Sequence, residues 1–390
     1  MRSRRIGLAL ELSWPMHRHL DVFAGTQEYA RQAPGWTFEI DEFIHERLRG
    51  PASRRRTYDG LIARATPELA AAARRAGIPL VNTWFNSPVR DALPGVFPDL
   101  SAVGRLAAEH LLERGFRRFG CLGVRGEASR DLATGAFHRV LRDSGCECRC
   151  ARESVEYYET SRGWARFQGT LEAWIDSWTP PVGLLIAYVD TTARYVVNAC
   201  LRRGLKVPED VALITTSNEP HVNLLPPPSL SAVEINYRQV GLRAAAMLDL
   251  LMRRRHLPAR HELLQPAGVI GRDSTDYFAM EDLDIVAAMR YIERNLTRKI
   301  GVKDVVAGTA VSSRRGLERR FRDLCGRSIA AEIRRLRILK AKRLLSETAL
   351  LVKQVAQQSG FGDPIRLHEV FVREVGVAPS AYREKAGSGG

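Results

Sequence analysis

The stretch Ser313-Arg-Arg-Gly-Leu-Glu-Arg-Arg-Phe321 has the spacing of an amphipathic helix. Leu317 and Phe321, four residues apart, form its apolar side, and Arg314, Arg315, Glu318, Arg319 and Arg322 lie on the other. Guanidinium forks match guanine edges bidentately and also clamp phosphates, so such a face suits nucleic acid. A second stretch, Pro364-Ile-Arg-Leu-His-Glu-Val-Phe371, repeats the apolar pair as Leu367 and Phe371. Each follows a shorter amphipathic segment, Val302–Ser312 and Val352–Phe361, across a tight turn. Ser312 or Ser313 is placed to cap the first outward helix and Asp363 the second, and Pro364 takes the first helical position, where its missing N–H costs nothing. One arginine-rich face reads equally well as a solvated surface. Two such units joined by the helical stretch 329–346 point instead to helix-turn-helix pairs entering successive major-groove turns, ~34 Å apart.

Charge agrees with this. The 390 residues carry a net charge of +15, and residues 281–390 hold 22 Lys and Arg against 13 Asp and Glu. That segment is therefore at +9 and the other 280 residues at +6, the footprint of a polyanion-binding domain. Six cysteines make no disulfide framework. Cys146-Glu-Cys148-Arg-Cys150 lacks the spacing of a zinc site and reads as a loop with reduced thiols, so no metal and no cofactor are expected. The sequence contains no P-loop, no H-E-x-x-H and no G-x-S-x-G, and its nine histidines are scattered, which argues against an enzyme.

The elements that position these residues differ between the two parts of the chain. Over the first 270 residues short apolar runs alternate with amphipathic stretches. Ile6–Leu10, Gly60–Ala63, Ile78–Val81, Arg118–Leu122, Gly183–Ala187 and Val211–Thr215 read as strands. Val22–Arg31, Pro67–Ala76, Val103–Arg114 and Thr191–Arg203 read as helices. This alternation predicts an α/β fold with parallel sheets, whose ligands bind beyond the carboxyl ends of the strands. Beyond Asp273-Ser-Thr-Asp276 the pattern is all-helical: 285–295, 302–308, 314–324, 329–346, 352–359 and 364–374, with Ile329, Ile333, Leu336 and Leu344 as an apolar stripe. Residues 387–390 read as a flexible tail. No apolar run reaches the ~18 residues of a membrane span, and the first one stops at Glu11, too short for a signal peptide. A cytoplasmic location with no membrane contact is expected.

Gly360-Phe361, Phe371 and Gly376-Val-Ala-Pro-Ser-Ala-Tyr-Arg383 resemble the signature closing an AraC-type DNA-binding domain, with a match over about 283–383. The resemblance implies that Arg315, Glu318 and Arg319 meet bases in the first unit and Ile365, Arg366 and Glu369 in the second, with Arg314 beside them. The first turn departs from the family pattern, being one residue longer or lacking its small turn residue.

Residues 1–275 resemble the periplasmic-binding-protein-like sensors of LacI-type regulators. This rests on Val96-Phe-Pro-Asp99 with Val103–Phe116, on Gly204-Leu-Lys-Val-Pro-Glu-Asp-Val-Ala212, on Pro228–Val233 and on Val240–Ala245. A LacI-type sensor ahead of an AraC-type reader, with Arg272–Tyr277 at the junction, resembles the xylose-operon regulators, the XylR family. The resemblance implies a sugar pocket: Asp99 and Asp190 as acidic ligand positions and Glu11 with Ser13 as a polar pair after the first strand. Two family positions differ. Ser217 stands where an acid is usual, followed by Asn218 and Glu219, and Ala133 replaces an arginine that Arg130 stands near enough to substitute for. Trp14 or Trp164 is placed to stack on a sugar or to fill core.

The sequence therefore predicts a two-lobed α/β sensor over 1–275, a linker at 276–284 and an all-α double helix-turn-helix domain over 285–385. The function expected is that of a ligand-responsive transcription regulator, with double-stranded operator DNA and a small-molecule effector, a sugar such as xylose, as partners. A homodimer is expected, and RNA polymerase as a further partner if the protein activates. The alternatives are a regulator whose pocket has changed specificity and a periplasmic-type sugar receptor; the basic helical domain argues against the second.

Overall fold

A computed structural model of the chain describes residues 3–12, 16–33, 35–49, 58–124, 128–153, 160–187, 190–224, 226–280, 282–309, 313–348 and 350–388. The first lobe holds β1 (Arg4–Ala9), α1 (His17–Gln32), β2 (Trp36–Ile40), α2 (Ile44–Arg47), β3 (Gly60–Ala63), α3 (Pro67–Ala76), β4 (Leu80–Asn82) and β5 (Gly95–Pro98). The second holds α4 (Leu100–Glu113), β6 (Arg118–Val124), α5 (Ala128–Asp143), β7 (Glu147–Glu153), α6 (Ser161–Asp176) and β8 (Val182–Ile186). It continues with α7 (Asp190–Arg202), β9 (Val211–Thr215), α8 (Pro220–Asn223) and β10 (Ser231–Glu234). The chain then returns through α9 (Tyr237–Met252) and β11 (His261–Leu264) to the first lobe, and crosses back at β12 (Gly268–Ile270).

The two sheets run in the orders β11-β5-β4-β3-β1-β2 and β12-β10-β9-β8-β6-β7. Every ladder is parallel except that between β10 and β12. Gly60-Leu-Ile-Ala63 and Val211–Thr215 are buried throughout because helices cover both faces, which is why they read as unbroken apolar runs. The lobes are joined at three crossings, after β5, after β10 and after β11, and these bond to one another. The Asp99 N–H donates to the Leu264 carbonyl at 2.7 Å, the Gln265 amide to the Asp99 carboxylate at 2.8 Å, and the Ala267 N–H to the Glu234 carbonyl at 2.9 Å.

In the first lobe α1 and α9 pack at backbone contact. A Cβ on Gly25 would lie 1.9 Å from the Arg238 carbonyl oxygen, and one on Gly241 would lie 1.9 Å from that of Val22. Only glycine lets the two backbones approach this closely.

The reader domain holds α10 (Leu283–Asn295), α11 (Val302–Ala307), α12 (Arg314–Cys325), α13 (Ile329–Glu347), α14 (Val352–Gln358), α15 (Pro364–Val375) and α16 (Pro379–Ser388). It has two cores. One gathers Ile285, Met289, Ile292, Val305, Leu317 and Phe321; the other gathers Val355, Phe361, Leu367 and Phe371. The long helix α13 belongs to both, giving Ile329 and Ile333 to the first and Ile338, Ala341 and Leu345 to the second.

Two expectations are corrected. Glu147–Cys150 is not a loop: it opens β7, which pairs with β6 so that Cys150 faces Cys121, and these two sulfurs are joined, while Cys146 and Cys148 are free thiols. The C-terminal tail is helical further than expected, because α16 continues through Gly387 to Ser388. The expected linker is packed: Tyr277 and Ala279 lie against the core of the second lobe, while Phe278 and Met280 join the first reader core. Alternate side chains of one extended segment thus serve two domains.

The close α1–α9 approach predicts that Gly241→Ala costs roughly 1–3 kcal/mol through forced separation of the helices. Denaturant unfolding of the variant beside the parent protein measures it.

Candidate functional site

The recognition helices are built locally as their sequences require. The Ser313 hydroxyl accepts from the Gly316 N–H at 3.2 Å and so caps α12. The Asp363 carboxylate accepts from the Ile365 N–H at 2.9 Å and caps α15, with Pro364 in its first turn. Both helices end in a left-handed glycine, Gly326 and Gly376. Leu317, Phe321, Leu367 and Phe371 are fully buried, which turns Arg315 and Arg319 outward on α12 and Ile365, Arg366 and Glu369 outward on α15. Arg314 is exposed and pairs with Glu318 at 2.8 Å. Ile365, at 68% exposure, is a large apolar group at the start of a helix, suited to a thymine methyl.

Other arginines of the reader are structural. Arg320 bridges Asp282 and Asp284 at 2.7 and 2.6 Å, tying α12 to the start of α10. Arg337, 7% exposed, donates to the carbonyls of Leu296 and Arg298 and closes the end of α10. Gly360 takes φ +84° beside that same carbonyl of Leu296, 2.1 Å from where a Cβ would sit, which accounts for the glycine of the Gly360-Phe361 pair.

The second candidate site is the cleft between the lobes, at the carboxyl ends of both sheets. On the first-lobe side, after β1, β3 and β4, stand Glu11, Arg64 and Trp84. Arg64 pairs with Glu11 at 2.7 Å and lies over the Trp84 ring at 4.7 Å. His19, from α1, is buried, with Nδ1 2.9 Å from the Glu11 carbonyl. Burial first, and then the nearby Arg64 and Arg18 charges, push its pKa down from 6.5 to about 4. On the second-lobe side, Arg130 from α5 donates to the Thr216 hydroxyl at 3.1 Å. Asn218 donates to Glu234 at 2.6 Å and accepts from Arg272 at 2.7 Å. Arg194 holds this edge by donating to the carbonyls of Val222, Asn223, Pro226 and Pro228. Among the described residues, hydrogen bonds bridge the cleft between Asn86 and Ser129, at 2.8 and 3.0 Å, and from the His17 N–H to the Glu219 carboxylate at 3.1 Å.

Of the residues expected in the pocket, Glu11, Arg130, Asn218 and Glu219 are at this cleft. Asp99, directly after β5, stands at the hinge, where its carboxylate caps α4 through the Ala102 N–H and accepts from Gln265. Ser13 and Trp14 lie outside the described residues, as does the Asp190 side chain, although Asp190 opens α7. Trp164 packs edge-on against Tyr195 at 4.9 Å and against Phe167, so it is part of an aromatic cluster. Arg64, Trp84 and Thr216 were missed. Their signal was present: each lies within two residues of a strand's carboxyl end.

Sensor and reader meet at the end of α4. The Arg114 guanidinium donates to the Thr275 carbonyl at 2.6 Å and to Glu293 of α10 at 3.2 Å, and its backbone carbonyl accepts from Ala279 at 2.7 Å. Beside it Glu113 binds Arg335 at 2.8 Å and Arg327 at 3.6 Å, and both arginines also hold Glu332, which is 1% exposed. Burial raises the pKa of Glu113 and of Glu293 against the pull of these arginines.

A family model described as a periplasmic binding protein-like domain matches residues 108–275, and one described as a helix-turn-helix domain matches 306–385. The xylose operon regulatory protein of Escherichia coli K12 is 28% identical over 370 residues, 93% of each chain. That of Haemophilus influenzae is 26% identical over 371 residues, 93% of this chain and 94% of its own. A solved structure described as the xylose-binding transcription activator xylR superposes over 99% of both chains, with 26% identity and a TM-score of 0.59. Fold and sites together define a transcription regulator, a two-lobed effector sensor ahead of an AraC-type double helix-turn-helix reader. Over nearly its whole length the chain is similar to the xylose operon regulatory proteins.

The buried His19 gives the cleft a pH signature. Its folded pKa, about 4, lies below the ordinary 6.5, so the unfolded chain takes the proton first. The stability it contributes is complete above about pH 6.5 and is lost as pH falls toward 4. Melting temperature against pH is expected to fall less steeply over this window in His19→Gln than in the parent protein.

Proposed function

We propose that this chain is a sugar-gated regulator of catabolic genes that binds operator DNA through α12 and α15, with a pentose such as xylose as effector. The observation that carries the reading is the junction: a two-lobed cleft whose hinge residue Asp99 begins α4, and whose α4 ends in ion pairs to the reader. The domain limits that fit this are a sensor over 1–275, a connector over 276–284 and a reader over 285–385. Arg315, Glu318, Arg319, Ile365, Arg366 and Glu369 are assigned to base edges and Arg314 to the phosphates or their neighbours. Glu11, Ser13, Asp99, Arg130, Asp190, Asn218 and Glu219 are assigned to effector binding, Asp99 from its place at the hinge.

In mechanism, effector held between Glu11 and Arg64 on one lobe and Arg130 on the other favours one lobe arrangement. It shifts the equilibrium only by its differential affinity for the two arrangements. Rotation at the crossings carries α4, and with it the reader docked on Glu113 and Arg114. In a cytoplasmic homodimer this would align two readers on paired half-sites and present them to RNA polymerase, as activation requires. A second reading, a changed effector, is favoured by Ser217 and Ala133 at the altered family positions and by Asn218 being held between Glu234 and Arg272. The reader domain, with its two capped recognition helices, speaks against a periplasmic receptor.

Two experiments test this. Arg319→Ala is expected to cost ~1–3 kcal/mol on specific operator DNA and to relax specificity at one base pair; an equal loss on random duplex would make Arg319 a phosphate contact. In a thermal-shift series with pentoses and hexoses, a pentose is expected to raise the melting temperature. Glu11→Gln is expected to weaken that sugar by about 1.5–3 kcal/mol, the loss of one charge-assisted hydrogen bond, with DNA affinity intact. Stabilisation by hexoses alone would favour the changed-effector reading.

A further inference from the structure

The sulfurs of Cys121, Cys148 and Cys150 all lie within 4.8 Å of one another, on two neighbouring strands, and none of the three belongs to either site described above. The arrangement follows from sheet geometry. Cys148 and Cys150 are two residues apart on β7 and so share one face, and the parallel register sets Cys150 opposite Cys121 of β6. Cys121 is 1% exposed, Cys148 half-buried and Cys150 exposed, so the cluster runs from the core to the surface of an edge strand and an ion can reach it from solvent.

We propose that the three thiols, when reduced, form a binding site for one thiophilic d10 metal ion of the zinc or cadmium class. The distance argument is direct. Thiolates bound at about 2.3 Å to a common tetrahedral or trigonal zinc are about 3.8–4.0 Å apart. Cys148 Sγ and Cys150 Sγ are already 3.9 Å apart. Cys121 is joined to Cys150, so the site opens on reduction. Two low-molecular-mass thiols supply two electrons and two protons, the Cys121–Cys150 bond breaks to two thiols, and the reductant leaves as its own disulfide. The metal then replaces the thiol protons and releases them to solvent. A solvent molecule completes the coordination on the exposed side. Metal and disulfide are thus exclusive states of one cluster.

The full chain, reduced with a phosphine and desalted under nitrogen, would be titrated with cadmium chloride and followed by thiolate-to-cadmium charge-transfer absorption. Zinc affinity would be measured by competition with a chromophoric chelator. The expected result is one saturable equivalent per chain, at least tenfold weaker zinc binding in Cys148→Ser and in Cys150→Ser, no change in Cys146→Ser, and no binding by the disulfide form. Cys148→Ser and Cys150→Ser lie toward the surface, and circular dichroism checks that each is folded. Absence of saturable binding by the reduced parent protein, or binding by folded Cys148→Ser and Cys150→Ser equal to the parent's, would overturn the proposal.

Discussion

Arg114 fastens three parts of the molecule at one point. Its guanidinium joins the Thr275 carbonyl, where the sensor ends, to Glu293 on the first reader helix, and its carbonyl takes the N–H of Ala279 in between. Phe278 lies against the same guanidinium, 5.4 Å from carbon to ring centroid. A charged group this enclosed is tolerated only with its donors satisfied, and here those partners come from different domains. Removing either side would leave the other charge buried and unpaired. The reader is therefore placed by the end of α4 and does not hang on a loose tether.

This placement makes α4 mechanically important. Its N-terminus is capped by Asp99 at the hinge, where the crossings bond to one another, and its C-terminus carries Glu113 and Arg114. In the mechanism proposed above, a rotation of the second lobe about the hinge would be delivered to the reader through this packed helix. Ser229 bonds Asp273 at the surface, and beneath it the buried Ser274, Thr275, Ser231 and His110 form a polar network that fixes the last sensor residues to the lobe.

The arginines of the C-terminal domain include two contrasting groups. Arg320, Arg327, Arg335 and Arg337 are consumed by carboxylates or carbonyls within the structure. Arg315, Arg319, Arg322 and Arg366 face outward with Arg314. The first group is spent inside the structure, so the count of positive charge alone overstates the electrostatic footprint.

The recurring apolar runs determined the parallel sheets, because a strand covered on both faces must be apolar at every position; Gly60–Ala63 and Val211–Thr215 were legible for that reason. The two recognition helices were equally legible, since caps at Ser313 and Asp363 and apolar pairs four residues apart are local signals. What needed the tertiary structure was pairing over long distances. Nothing in the sequence around Arg64 reveals that Glu11 and Trp84 meet it, or that Asp99 is committed to a hinge 166 residues from Gln265. The cysteine motif was read as a loop because its register against β6 is fixed by the whole sheet and not by its own spacing. The segment 277–280 looked like a linker because its side chains pack into cores that lie elsewhere in the chain. Local sequence specified the elements; which faces met was decided by packing, where burial of distant partners outweighs any local preference.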